Sequence, residues 1–209
     1  MEMKKVLFIL VIVALLTISL TACNLIPDKD ADVYNTLNEM ASKEYTNINL
    51  AVETSYQGVT LLNTYTIMNS SNSTMVTYKT QSLATIGTDE DGNFVVPEDM
   101  IVTKEGNAVI KGGQVVEQSG SPADVPVKSI STLKLDFNEA YFNNPYGYAE
   151  NEQQIFVADV INAKAFTSNA EFDGKDMTVE VRYGEQLEKV TINYTSQKGA
   201  LVKVTYTFK

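Results

Sequence analysis

The chain has 209 residues, with 16 Lys and Arg against 26 Asp and Glu and a formal net charge of −10. So acidic a surface repels phosphate backbones, which draw partners through clustered Lys and Arg, and this argues against nucleic acid as a partner. With no His and a single Cys, the composition also argues against Ser-His-Asp triads, His-bearing or four-Cys zinc sites and disulfides, so no catalytic group, metal site or cofactor is assigned.

Met1-Glu2-Met3-Lys4-Lys5 forms a short cationic head, followed by an apolar run from Val6 to Leu16 and by Thr17-Ile18-Ser19. That run is too short for a helix crossing about 30 Å of hydrocarbon, which takes about 20 residues, and it suits the central region of a secretory leader. It leads into Leu20-Thr21-Ala22-Cys23, which resembles the bacterial lipobox. The resemblance implies a diacylglycerol thioether on Cys23 and cleavage between Ala22 and Cys23. Residues 1–22 are then a lipoprotein signal peptide, 23–32 a lipidated tether containing Pro27, and 33–209 one extracytoplasmic domain. Loss of Glu2, Lys4 and Lys5 with the leader takes the net charge from −10 to −11. The expected location is the outer face of the bacterial cytoplasmic membrane, with the lipid as the membrane contact.

Asp32 is placed to cap a helix over 33–43, whose apolar stripe is Val33, Leu37, Met40 and Ala41. The pattern then changes to period two. Ile48 to Tyr56 alternates, Gln57-Gly58 turns the chain into Val59 to Met68, and Asn69 to Ser73 turns it into Thr74 to Ile86. Beyond the acidic turn Thr88 to Asn93, short strands are expected at 100–103, 108–111 and 114–117, separated by Glu105-Gly106-Asn107 and Gly112-Gly113. Residues 118–127 read as an exposed loop and 130–137 as an alternating strand. Residues 155–166 fit either a strand or a helix, and 177–183, 187–195 and 200–208 form a three-stranded meander.

The expected fold is α+β and mainly antiparallel β, with the N-terminal helix packed on a strongly twisted, curved, half-barrel-like sheet. By its order of elements, over 33–85 and the last three strands, this layout resembles the clamp fold of the outer-membrane lipoprotein carriers and the lipidated lipid-binding proteins of mycobacteria. The resemblance implies an apolar cleft between helix and sheet. The chain has one Arg and no Trp, unlike the outer-membrane carriers, so a lipoprotein-shuttling role does not carry over.

Two groups of residues are candidates for recognition. The inward alternates Leu50, Val52, Tyr65, Ile67 and Tyr78 either line an apolar cleft or fill a packed core. The segment 140–150 crowds Tyr141, Phe142, Tyr146 and Tyr148 around Asn143-Asn144-Pro145; it serves either as a recognition loop or as a clip holding itself to the sheet. The acidic run from Asp89 to Asn93 lacks the spacing of a calcium loop and reads as a solvated hairpin tip. The pairs Asp136 with Glu139 and Glu150 with Glu152 read as surface charge rather than a glycosidase pair. The function expected is a membrane-anchored, non-enzymatic protein that binds a lipid or other apolar ligand. The alternatives are a surface adhesin or structural envelope protein acting through its aromatic loop, and a His-free hydrolase.

Replacing Cys23 by Ser is expected to abolish incorporation of labelled palmitate and to move the protein out of the membrane fraction. A wild-type chain that takes up no label would show the leader to be of another kind.

Overall fold

The computed structural model describes residues 31–85, 87–92, 94–95, 99–127, 130, 134–167 and 174–209; the leader, Cys23 and the tether up to residue 30 lie outside the described residues. In chain order the elements are helix α1 (Ala31–Ala41), then β1 (Asn47–Tyr56), β2 (Val59–Asn69), β3 (Thr74–Leu83), β4 (Gly87–Thr88), β5 (Phe94–Val95), β6 (Ile101–Lys111) and β7 (Gln114–Gly120). A 3₁₀ turn (Glu139–Tyr141) precedes β8 (Phe142–Glu150), β9 (Gln153–Val160), a short helix α2 (Ala163–Thr167), β10 (Lys175–Tyr183), β11 (Leu187–Thr195) and β12 (Leu201–Phe208). Ten strands form one open sheet in the order β7-β6-β3-β2-β1-β12-β11-β10-β9-β8, with β4 and β5 a separate hairpin. Every pairing is antiparallel.

Because successive side chains of a strand point to opposite faces, the register sorts the residues cleanly. One cross-strand row runs Phe156, Val181, Val190, Tyr206, Leu50, Tyr65, Tyr78, all buried. The row one residue away, on the other face, runs Arg182, Lys189, Thr207, Asn49, Thr66, Thr77, Asn107. The first face is covered by protein and the second meets water.

The cover has three parts. Helix α1 presents Tyr34, Leu37 and Met40, all buried, with Val33 and Ala41 packed beside them, so Tyr34 belongs to the stripe that the sequence pattern placed it next to. Helix α2 contributes the fully buried Phe166. The third part is the connection 121–138, which must travel from one edge of the sheet to the other, since β7 and β8 are its outer strands. Nine inter-strand spacings come to about 43 Å. The connection's described residues pack on the covered face, burying Ile130, Leu135 and Phe137.

Residues 130 and 134–137 are not in a strand, against the expectation from their alternation; 131–133 lie outside the described residues. Their backbone groups find other partners. Asp136 N–H donates to the Phe166 carbonyl (2.8 Å), Phe137 N–H donates to Asn38 Oδ1 (2.7 Å), and Asn38 Nδ2 donates to the Phe137 carbonyl (2.9 Å). One helical amide thus does for Phe137 what a neighbouring strand would have done. Around it Tyr34, Phe137, Phe142, Phe156 and Phe166 meet at ring separations of 5.2 to 6.1 Å, joining both helices, the connection and the last two strands of the sheet.

Three further expectations change. The runs at 100–103 and 108–111 belong to one strand, β6, and Glu105-Gly106-Asn107 is not a turn. Glycine stands there for another reason: a Cβ on Gly106 would lie 2.5 Å from Tyr78 Oη and 2.2 Å from the Ser119 carbonyl. Residues 142–150 form the edge strand β8 rather than a loop, with a register shift between Asn143 and Tyr146 around Pro145. The ambiguous stretch 155–166 is both things in turn, strand to Val160 and helix from Ala163. The acidic run is a tip between β4 and β5, closed by Gly92 N–H donating to the Asp89 carbonyl (3.0 Å); Asn93 lies outside the described residues.

Asn38→Leu keeps the side-chain size and leaves both backbone groups of Phe137 without their partner. Urea unfolding is expected to show a loss of about 2–4 kcal/mol, since each unsatisfied buried group costs about 1–3 kcal/mol. A loss within error of zero would show that water replaces the amide. A second expectation concerns alkali. Burial raises the phenol pKa of Tyr206, Tyr65, Tyr183 and Tyr45 above the ordinary 10.0. The unfolded chain therefore ionises first: their contribution to stability is whole below about pH 10 and is lost as pH rises through the folded values. Circular dichroism should be lost in that range as the buried phenols ionise; phenolate absorbance equal to that of all 11 tyrosines with the fold intact would contradict it.

Candidate functional site

The five inward alternates occupy the middle of the covered face. Leu50, Tyr65, Ile67 and Tyr78 are buried and Val52 is half-buried, all within the one core cluster or packed against it. Tyr78 has a structural use for its hydroxyl, which donates to the Ser121 carbonyl (2.8 Å) and accepts from Gln118 Nε2 (3.0 Å), fixing the start of the crossing connection. None of the five lines a large opening elsewhere in the described structure.

That opening is a groove of about 850 Å³ at one end of the sheet. Several pieces of chain meet there: the residues after α1, the β2–β3 turn, the β6–β7 turn, the connection at Ile130 and Leu135, and the strand ends at Leu187 and Phe208. Its floor is apolar, made by the buried side chains of Ile48, Ile110, Ile130, Leu135, Leu187 and Phe208. Its rim is polar, with Lys43, Glu44, Lys111 and the run Asn69 to Thr74.

Tyr45 ties the walls together. Its hydroxyl donates to the Met40 carbonyl (3.0 Å) and accepts from the Leu187 N–H (3.1 Å), and its ring lies 4.6 Å from that of Phe208. Burial pushes the Tyr45 phenol pKa up, with the Leu187 bond acting the other way. It therefore stays a neutral donor rather than a base at ordinary pH. Asn69 secures the opposite wall, its Nδ2 donating to the Tyr45 carbonyl (3.0 Å) and its Oδ1 accepting from Thr74 Oγ1 (2.9 Å). Ser70 closes the turn by donating from both N–H and Oγ to the Ser73 carbonyl (2.9 and 2.8 Å). Gly112 and Gly113 both have positive φ, 57° and 75°, the backbone that a two-residue hairpin of this kind requires.

The aromatic segment 140–150 is divided between the two faces. Phe142 is buried in the aromatic cluster and Tyr141 packs partly against the core. Tyr146 and Tyr148 lie on the other face of β8, with ring centroids 6.4 Å apart and planes 12° from parallel; Tyr146 is 52 % exposed. Beneath them Ile155 is fully buried, and near them Arg182 bonds Glu180 (2.8 Å) and Glu150 (3.1 Å). Glu150 is thus engaged by a cation. The hydrogen bond that Arg182 donates to Glu180, above all, raises the Arg182 pKa.

Sequence reasoning located the two turns and not the groove between them. In a sheet ordered β6-β3-β2, the β2–β3 and β6–β7 turns necessarily fall at the same end, so the signal lay in strand order.

No protein-family model matches this sequence, and no curated protein matches it. Among solved structures, a LolA superfamily protein from Nitrosomonas europaea is similar over 86 % of this chain and 92 % of its own, at 8 % identity and a TM-score of 0.32. The dehydratase domain from the CurF module of the curacin polyketide synthase is similar over 80 % of this chain and 76 % of its own, at 6 % identity and a TM-score of 0.19. At these scores neither likeness carries an inference about what the chain does.

Proposed function

We propose that the protein is a lipid-anchored, extracytoplasmic binding protein without catalytic activity, which holds the apolar part of an amphipathic ligand in the end groove. The observation that carries this reading is the groove itself: an apolar floor enclosed by a rim of hydroxyls, amides and two lysines. Its volume falls in the range of about 300–1,000 Å³ usual for small-molecule sites, and a few polar groups around apolar walls are the usual lining. An acyl chain or similar group on the floor would leave its polar end at Lys43, Lys111 and the serine turn. The location at the outer face of the membrane follows from the leader motif.

A second reading has one observation in its favour. Tyr146 and Tyr148 form a stacked pair on the open face of an edge strand, a rigid surface suited to contact with another macromolecule. In that case the groove is incidental and the protein acts as an adhesin or envelope component.

Ala41→Trp separates the two. Ala41 ends α1 and is half-buried at the groove. The indole is expected to fill part of the opening and weaken binding of a dansylated fatty acid by about tenfold or more, a change of about 1.4 kcal/mol or more. Wild-type protein that gives no dansyl signal, or a variant that binds as well as wild type, would rule out the groove as the binding site.

A further inference from the structure

We infer that the end of the sheet opposite the groove is a second membrane contact, which beds into the outer leaflet of the bilayer beside the lipid anchor. At this end β1 finishes on Tyr56, β2 opens on Val59 and Leu62, β3 finishes on Leu83, β6 opens on Ile101 and β12 on Leu201. All six are between 38 % and 63 % exposed. The register puts Leu62, Leu83, Ile101 and Leu201 on the uncovered face and Tyr56 and Val59 on the other, beyond the reach of α1 and the connection. Apolar side chains on both faces of five neighbouring strand ends make a tip rather than a patch.

Charge and hydrogen bonding point to lipid as the occupant. The four stretches that build the tip, 54–62, 80–85, 100–103 and 200–202, hold no Asp, Glu, Lys or Arg, in a chain of net charge −10. The apolar side chains can thus enter hydrocarbon without carrying a charge with them, while Glu53, opposite Leu62, and Asp99, beside Met100, stand at the margin of the tip and the acidic β4–β5 hairpin branches from the same end. Entry into hydrocarbon also requires that backbone polar groups be satisfied within the protein. Beyond Thr64 and Lys79 the ladder between β2 and β3 stops, and side chains take it over: Leu62 N–H donates to Gln81 Oε1 (2.8 Å) and Gln81 N–H donates to Asn63 Oδ1 (2.7 Å). Ala84 N–H donates to the Met100 carbonyl (2.9 Å) and Ser196 N–H to the Ala200 carbonyl (2.8 Å), closing neighbouring ends. A protein partner would have to offer a cleft to receive a two-faced tip, whereas a bilayer needs no preformed cavity.

The inference rests on the lipid-anchored reading, because that anchor brings the bilayer within reach. Residues 23–30 between Cys23 and α1 extend at most about 28 Å, at about 3.5 Å per residue. That is less than the length of the longer strands, roughly 35 Å. The domain therefore stays against the membrane surface, and the tip needs only to turn toward it.

The chain contains no Trp, so an introduced indole reports one position alone. Full-length, acylated Leu62→Trp and Leu83→Trp would be reconstituted into phosphatidylcholine vesicles with brominated acyl chains. Met75→Trp is the comparison, exposed on the same face toward the other end of β3. The expected result is a blue shift and loss of most emission at positions 62 and 83, with emission at 75 retained. Equal quenching at all three positions would overturn the inference. So would a blue shift at 62 and 83 that is present without vesicles and insensitive to bromine, which would mark a second copy or another protein as the occupant. Labelled palmitate in the same preparations reports the anchor separately: quenching without label removes the anchor alone, and label without quenching removes the tip alone.

Discussion

The structure depends on β1 being bonded along both edges. It pairs with β2, its neighbour in sequence, and with β12, the last strand of the chain. Without the second pairing there would be two separate sheets, β7-β6-β3-β2-β1 and β12-β11-β10-β9-β8, each exposing a new edge and half of an apolar face. Leu50 shows what the pairing achieves: it lies between Tyr65 on one side and Tyr206 on the other, and all three are buried. The row of apolar residues is continuous across the two halves only because β1 and β12 meet in this register. A slip of one residue would put Asn49 and Ala51 into the core.

The cover follows from the same arrangement. With β7 and β8 at opposite edges, their connection has to cross the sheet, and where it meets the helices the backbone of Asp136 and Phe137 is bonded by Phe166 and Asn38. Helix α1 and the described part of this connection pack on the middle of the covered face, and the groove opens where the cover ends. Past one end of the cover lie the turns that surround the groove, and past the other lies the apolar tip. The proposed ligand site and the proposed membrane contact are two consequences of a cover shorter than its sheet.

Much of this was legible in the amino-acid sequence. Period-two alternation located β1, β2, β3, β10, β11 and β12, and the stripe Val33, Leu37, Met40 and Ala41 located α1, because those segments bury one face against a single neighbour. What failed did so for identifiable reasons. Gly106 looks like a turn residue, yet it is there to admit the ring of Tyr78, a demand set by a strand remote in sequence. Ile130 to Phe137 alternates like a strand, but Asn38 from the helix takes the place of a strand partner. In β8, Pro145 and the neighbouring asparagines signal a loop, and only an edge position with a register shift accommodates them. The groove was not legible, since its walls come from turns that strand order alone brings together, and the residues chosen for a cleft lie in the packed core or against it.

The position of β12 also sets a timetable. From β8 onward each strand of the sheet lies beside the strand made just before it, so that half can assemble as it is made. The strand β1 is the first of the sheet in chain order, and its second partner, β12, follows all the others. Until that stretch leaves the ribosome, the early hairpins carry an unpaired edge and half a core. Completion of this sheet therefore waits for β12, and a chain lacking that strand would forfeit a joint in its middle.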